Sequence, residues 1–134
     1  MDFLKQWAVG LVAFVAMDFV WIGLVANGFY RRELGPLLRM RGDNLDPRLA
    51  PAFLLYALMV AGLILFALPR ARDGSLVESM AWSFVFGLIA YSVYDLTNYS
   101  TLQGFSLRMA AVDMAWGGVA FALTGAAVWM VRPA

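Results

Sequence analysis

The chain has 134 residues, of which 63% are hydrophobic and only 14% are charged, and its net charge is +1. An ordinary soluble domain has about 25% charged residues, and a domain of this length does not have enough interior to bury so much apolar surface. The composition therefore excludes a soluble enzyme, a nucleic-acid-binding protein and a disordered segment, and it favours an integral membrane protein.

The sequence contains neither Cys nor His. Without Cys there is no disulfide or thiolate chemistry, and without His the commonest metal ligand, haem ligand and general base are missing. We therefore expect no haem, zinc or disulfide, and the sequence leaves any other cofactor unknown. Any chemistry must use carboxylates, hydroxyls, amides, arginines and aromatic rings.

Four apolar stretches are long enough to cross a bilayer, which takes about 20 residues. Because unpaired backbone groups are not tolerated in lipid, each stretch must be a helix. The expected fold class is all-α, an antiparallel bundle of four transmembrane helices that forms a single domain over residues 1–134. The first stretch could instead be a cleaved signal peptide, but Asp18 and Trp21 interrupt it and no clean cleavage site follows. The expected helices are roughly 4–26, 50–68, 79–98 and 109–131.

Local signals mark several helix ends. Asp46 and Pro47 resemble an N-cap followed by a first-turn proline for the second helix, and Pro69 should end that helix. Ser75 and Glu78 have the spacing of a capping box at the start of the third helix. We therefore give Glu78 a structural role and no functional one.

The first loop, residues 27–49, is the longest connection, and its sequence leaves two interpretations open. It mixes apolar and basic residues, which favours a short interfacial helix broken at Gly35-Pro36. Alternatively, it is a solvated basic loop that only sets topology. The tripeptide 41–43 is typical of a turn.

The positive-inside rule favours a cytoplasmic location for loops one and three. Six basic residues lie on that side of the membrane (Arg31, Arg32, Arg39, Arg41, Arg48 and Arg108), and four lie on the other (Lys5, Arg70, Arg72 and Arg132).

Three acids, Asp18, Asp95 and Asp113, lie in the predicted spans. A charge there costs about 2.5–3.5 kcal/mol on insertion scales, so such residues are read first as functional and otherwise as interhelical packing contacts. Because successive helices alternate in direction, all three fall in the half of the bilayer that borders loops one and three. The spacing predicts a polar cup open to that side, with a hydrogen-bond donor for each charged acid.

The third helix adds polar groups on the face of its acid. Tyr91, Asp95 and Asn98 recur at i, i+4 and i+7, which is one helical face, and Tyr94 and Thr97 flank it. Tyrosines at this depth are commonly an interfacial belt. Next to Asp and Asn, they suit hydrogen bonding to a polar group in a low-dielectric site.

The first and fourth helices share the pattern Asp-x-x-Trp-x-Gly, at residues 18–23 and 113–118. We expect each Trp to cover the Asp of its own motif, one turn away, and each Gly to make room for a neighbouring helix. An inverted repeat would put the two acids on opposite sides of the midplane, whereas their depths put them on the same side. The candidate polar site therefore comprises Asp18, Trp21, Tyr91, Tyr94, Asp95, Asn98, Asp113 and Trp116, with no residue assigned as catalytic or as a metal ligand.

These residues resemble those of the bacterial predicted membrane proteins grouped as domain of unknown function 2177. The resemblance covers essentially the whole chain and implies a small four-helix protein of the bacterial inner (cytoplasmic) membrane, without an established activity. It rests on Asp18-x-x-Trp21, Tyr56, Phe66-x-x-Pro69, Tyr94-Asp95-Leu96-Thr97-Asn98 and Asp113-x-x-Trp116-Gly117.

Three functions follow from the polar site. In the first, the acids bind or move a small cation, a proton or a polar solute, and a homo-oligomer or a larger membrane complex is expected because one chain is small for a conduit. In the second, the protein is an accessory or lipid-binding subunit that docks a partner helix, an acyl chain or a quinone. A carboxylate-based membrane enzyme ranks last, since no nucleophile motif is present. Ca²⁺ or Mg²⁺ on the carboxylates is a further option, but no spacing matches a known loop. Beyond the lipid bilayer, we expect no nucleic-acid partner.

Overall fold

A computed structural model describes residues 2–133, and helices dominate it. Four helices are long and apolar enough to cross a membrane, at Asp2–Val25, Leu49–Arg70, Leu76–Thr101 and Leu107–Met130. The all-α fold with a bundle of four membrane helices is therefore as predicted. The elements in chain order are α1 (Asp2–Val20) with a π-helical turn (Trp21–Val25), α2 (Asn27–Leu34), a 3₁₀ turn (Gly35–Leu37), β1 (Met40–Arg41), β2 (Asn44–Leu45), α3 (Leu49–Gly62) with a π-helical turn (Leu63–Ala67) and a 3₁₀ turn (Leu68–Arg70), α4 (Leu76–Thr101) and α5 (Leu107–Met130).

Small residues bring α4 and α5 into close contact along their length. A Cβ atom added at Gly87 would overlap the carbonyl oxygen of Gly117, and one added at Gly125 would overlap the hydroxyl of Ser83. Apolar side chains gain nothing by leaving lipid for a protein interior, so association depends on close packing of this kind. The small residues therefore hold α4 and α5 together.

Helices α1 and α3 pack around the other side of α5. Phe14 of α1 is fully buried and lies against Tyr56 of α3 and Phe121 of α5, with ring centroids 5.3 Å and 4.7 Å away. Gly10 allows a second close approach, because a Cβ there would lie 2.8 Å from Val60 and 3.0 Å from Val128. Large apolar side chains cover the outside of the bundle, as expected for a surface that faces lipid.

The first loop contains a real helix, α2, so the helical interpretation of this segment is correct. Its apolar face packs onto the protein, however, and not only toward lipid: Tyr30 is buried in a cluster with Phe105 and Met109, next to the third loop. Glu33 also accepts a hydrogen bond from Ser106, the N-cap of α5. These contacts place loops one and three at the same end of the bundle.

The rest of the first loop is a two-stranded hairpin, in which Gly42 occupies the turn at φ +61°. The predicted turn at residues 41–43 is therefore confirmed. The predicted N-cap at Asp46 is wrong, because α3 begins at Leu49 after Arg48, without a side-chain cap. Asp46 instead lies 3.7 Å from the guanidinium of Arg39 and 3.8 Å from that of Arg41, so nearby arginines compete successfully for its carboxylate.

The predicted cap of α4 is confirmed. Ser75 Oγ accepts a hydrogen bond from the backbone N–H of Glu78 at 3.1 Å. The Glu78 carboxylate accepts from the backbone N–H of Asp73 at 3.1 Å, and not from that of Ser75 as in a complete capping box. Loop two is thus organised by backbone hydrogen bonds, which supports a structural role for Glu78.

Replacing Ser75 with alanine should destabilise the protein by about 1 kcal/mol, because the first turn of α4 loses a side-chain acceptor. Ser75→Asp is the matched control, since Asp is an equally good N-cap, and it should restore the stability. Unfolding of the purified protein in detergent measures both. Equal loss in the two variants would contradict the capping argument.

Candidate intramembrane carboxyl site

The three acids are buried at one end of the bundle. Asp18 is 4% exposed, Asp95 0% and Asp113 7%. They lie six or seven residues from the ends of their spans, and a helix rises 1.5 Å per residue, so each is about 9–11 Å below that end. Asp113 lies within charge-interaction range of both Asp18 and Asp95. They come from α1, α4 and α5, which makes the cluster a product of the tertiary fold.

Asp18 receives two hydrogen bonds from other helices. The hydroxyl of Tyr56 on α3 donates to one carboxyl oxygen at 2.5 Å, and the indole N–H of Trp116 on α5 donates to the other at 3.1 Å. Asp18 therefore links three helices and has a donor for each oxygen.

Asp113 is held by an element outside the spanning helices. The Tyr30 hydroxyl on α2 donates a hydrogen bond to Asp113 and accepts one from the indole N–H of Trp21 at 3.1 Å. Burial raises the pKa of Tyr30, and the nearby Asp113 charge raises it further, so the hydroxyl keeps its proton and remains a donor. Asp113 is thus covered from the side of loops one and three.

The two Asp-x-x-Trp-x-Gly motifs are paired crosswise, which corrects the expectation that each Trp covers its own Asp. Trp116 bonds to Asp18 of the first motif, and Trp21 reaches Asp113 of the second through a tyrosine. The two indole rings stack on each other, with centroids 4.5 Å apart and an angle of 5° between their planes. Within each motif the Trp follows the Asp by three residues, which is about 4.5 Å along the helix axis. Because α1 and α5 run antiparallel, this offset brings the Trp of each motif level with the Asp of the other.

The glycines of these motifs differ. Gly118 packs against the ring of Phe84, so it makes room for a neighbouring helix as expected. Nothing lies within 4 Å of a Cβ atom added at Gly23, so that expectation is wrong for the first motif. Gly23 belongs to the π-helical turn that ends the first span, where the chain leaves the bundle toward α2.

Among residues 2–133, no N–H group and no hydroxyl donates to either buried carboxyl oxygen of Asp95, and its side chain can form a hydrogen bond with that of Asp113 only when one of the two acids is protonated. The donors expected for charged acids are therefore found at Asp18 and Asp113 and not at Asp95. The neighbour of Asp95 is Asp113, another acid.

Tyr91 packs on Gly117 and Phe121, and it lies within charge-interaction range of Asp18 and Asp113.

The other candidates on α4 lie at the margin of the cluster. Tyr94 is 52% exposed and its ring contacts the edge of Phe105. Asn98 is half-buried, and no side-chain hydrogen bond joins it to an acid among the described residues. The structure thus brings together Asp18, Trp21, Tyr91, Asp95, Asp113 and Trp116, and it leaves Tyr94 and Asn98 at the edge.

Two hydroxyls of the site, Tyr30 and Tyr56, were not among the candidates. Tyr56 was noted only in the family resemblance, although a lone phenol within an apolar helix is itself a signal, because a buried hydroxyl needs a partner. Tyr30 is 83 residues from Asp113 in the chain. Its one signal is its position among the apolar residues of a basic loop.

Among residues 2–133, no basic side chain forms an ion pair with the three buried acids. Within the part of the chain that the structure describes, the only ion pairs are those of Arg39 and Arg41 with Asp46, far outside the cluster. Over the same residues, no three acidic groups converge closely enough to hold a metal ion. Phenol and indole donors hold two of the three carboxyls of the cluster, those of Asp18 and Asp113.

The family model described as predicted membrane protein (DUF2177) matches residues 3–130. The chain belongs to this family. Membership agrees with the four apolar helices, and the family description specifies no activity. No curated protein and no solved structure shows a significant match to the chain.

Proposed function

We propose that this membrane protein binds and releases protons at its intramembrane carboxyl cluster. The observation that carries the proposal is Asp95, which is fully buried with both oxygens unpartnered and has another acid as its neighbour. An ionised carboxylate in that position would lack both solvation and a counter-charge, which is among the costliest arrangements in a protein. The cluster therefore needs bound protons or a bound cation.

The arrangement favours protons over a metal or a larger cation. Hard metal ions need several oxygen ligands around one point, and the described acids do not provide them. The stacked rings of Trp21 and Trp116 pack beside the acids, and their N–H groups donate to Tyr30 and to Asp18. A proton needs no cavity and no convergent ligands, so this packed cluster can accept one without rearranging its core.

The supply of donors differs from acid to acid, which suggests a division of roles. Asp18 has two donors, Asp113 has one and Asp95 has none. Hydrogen bonds from phenol and indole groups stabilise a carboxylate. Asp18, with a donor on each oxygen, is therefore best suited to a structural role, whereas the neighbouring Asp95 and Asp113 are placed to share the exchangeable proton.

Asp95→Asn and Asp113→Asn test the proposal. Each amide keeps the shape of the acid but cannot release a proton, so each variant should fold and bind about one proton fewer than the parent when the pH is lowered. The measurements are the proton uptake of the purified protein in nanodiscs after a pH jump and the infrared band of protonated carboxyl groups. Thermal unfolding in detergent, run beside them, shows that the fold is kept.

Asp43→Asn is the matched control, because Asp43 is an exposed acid of the hairpin outside the membrane. It should leave the carboxyl band of the buried acids unchanged. Growth complementation of a deletion strain extends the test to the cell, where at least one of the two buried-acid variants should fail. Full proton uptake and full complementation by both would refute the proposal and leave the accessory-subunit hypothesis standing.

A further inference from the structure

The site is closed at one end by α2, an eight-residue helix with two different faces. Tyr30 points inward and is buried against Met109 and Ala110 of α5. Arg31 and Arg32, the next residues, are exposed on the other side. The helix therefore separates Asp113 from the aqueous phase next to loops one and three.

An apolar cluster and a small set of polar contacts hold α2 in this position, and one of these contacts, from Arg31 to the backbone carbonyl of Asp43, joins it to the hairpin. Its polar contacts with the spanning helices are those of Tyr30 with Trp21 and Asp113, and the bond of Glu33 with Ser106. An isolated helix of eight residues is too short to be stable in water, so it depends on these contacts and on its small apolar cluster. Its ends are irregular: Ala26 at φ −104° and ψ 7° precedes it, and Gly35 at φ +40° follows.

The Tyr30 hydroxyl makes the position of α2 sensitive to the charge of Asp113. A hydrogen bond to a carboxylate is roughly twice as strong as one to a neutral group. When Asp113 takes up a proton, its bond with Tyr30 weakens and α2 loses its main polar contact with the bundle. The other titratable groups that face Asp113 are Asp18 on α1 and Tyr91, Tyr94 and Asp95 on α4.

From these contacts we infer that α2 is a lid over the carboxyl cluster and that Tyr30 is its latch on Asp113. The inference rests on the proposed proton-binding function and names the route of exchange. With the lid displaced, water reaches Asp113 from the arginine-rich side. A hydronium ion then transfers its proton to a carboxylate oxygen, an O–H bond forms there, and the remaining water returns to the aqueous phase.

A reversible cross-link tests the lid, and the chain suits it because it has no native Cys. Glu33→Cys combined with Ser106→Cys places a thiol on each side of the closed contact between α2 and α5. Oxidation, or a short bifunctional thiol reagent, should slow proton uptake in a stopped-flow pH jump at least tenfold, and reduction should restore the rate. The total number of protons bound at equilibrium should not change. Glu33→Cys alone, treated identically, is the control.

Tyr30→Phe gives an independent reading, because it removes the latch and keeps the ring. It should speed proton uptake several-fold. Tyr99→Phe is matched to it, because Tyr99 is a half-exposed tyrosine on the outside of α4 and is not part of the carboxyl cluster. It should not change the rate of uptake.

The possible results test the lid hypothesis separately from the proposed proton binding. Unchanged uptake rates in both the cross-linked protein and Tyr30→Phe, with normal proton numbers, would overturn the lid and leave proton binding intact. Equal acceleration by Tyr99→Phe would also overturn it. If the two thiols do not form a cross-link, the comparison of Tyr30→Phe with Tyr99→Phe decides the question. Loss of proton binding itself is measured separately, with the asparagine variants.

Discussion

Replacing Gly87 with alanine is expected to destabilise the protein by about 1–3 kcal/mol, the usual cost of an extra methyl group in a tightly packed site. The new Cβ would overlap backbone atoms of Gly117 and lie 2.7 Å from Cβ of Phe121. A backbone atom cannot move aside by changing rotamer, so α4 and α5 must separate. Because close packing is what holds membrane helices together, the separation weakens contacts along the whole pair. Chemical or thermal unfolding in detergent measures the effect.

Gly28→Ala is the matched control, because nothing lies within 4 Å of a Cβ atom there and its φ angle is not positive. In the helical environment of α2, alanine should be neutral or stabilise by up to about 1 kcal/mol. Similar losses at positions 87 and 28 would show that the close approach of α4 and α5 has little energetic weight.

The membrane helices could be predicted from the sequence because the bilayer imposes a simple requirement of length and apolarity. The structure extends the third span to Leu76–Thr101, beyond the predicted 79–98. The added residues include Val77 and Tyr99, which are exposed on the outside of α4. A search for apolar stretches misses such residues, because polar neighbours lower the mean hydropathy at the ends of the helix. The helix itself nevertheless begins directly after its cap at Ser75.

The burial of the three acids at one end also follows from the sequence, since alternating helix directions fix their depth. The crosswise pairing of the motifs could have been worked out in the same way. In antiparallel helices, a Trp three residues after an Asp lies below it in one helix and above it in the other. The expectation for Trp21 and Trp116 failed because it considered each helix alone.

The hydrogen-bond partners of the acids could not be predicted from the sequence. Tyr56 meets Asp18 across 38 residues and Tyr30 meets Asp113 across 83, and nothing local encodes either distance. At Asp46, too, contacts with residues elsewhere in the chain override what the local sequence motif predicts. It stands where an N-cap would stand, but Arg39 and Arg41 return to it through a hairpin that the sequence pattern did not predict.

Removing the Asp18 side chain is the second change with a large expected effect on stability. Asp18→Ala leaves the Tyr56 hydroxyl and the Trp116 N–H without their acceptor. Each buried donor that loses its partner costs about 1–3 kcal/mol in soluble proteins, and less in membrane proteins, where measured interhelical hydrogen bonds average about 0.6 kcal/mol. We expect a loss of about 2 kcal/mol, which includes the cavity left by the carboxyl group.

Asp18→Asn should cost less than half as much, because the amide can replace both contacts. Its oxygen can accept from Trp116, and its NH₂ group can donate to Tyr56 once the phenol rotates its proton away. A double-mutant cycle with Trp116→Phe separates the bond from the packing: the coupling energy with Asp18→Ala should be about 0.5–1.5 kcal/mol. If Asn were as destabilising as Ala, the negative charge of Asp18 would be what the bundle requires. Coupling near zero would instead mean that the indole contributes by stacking on Trp21 and not through its N–H group.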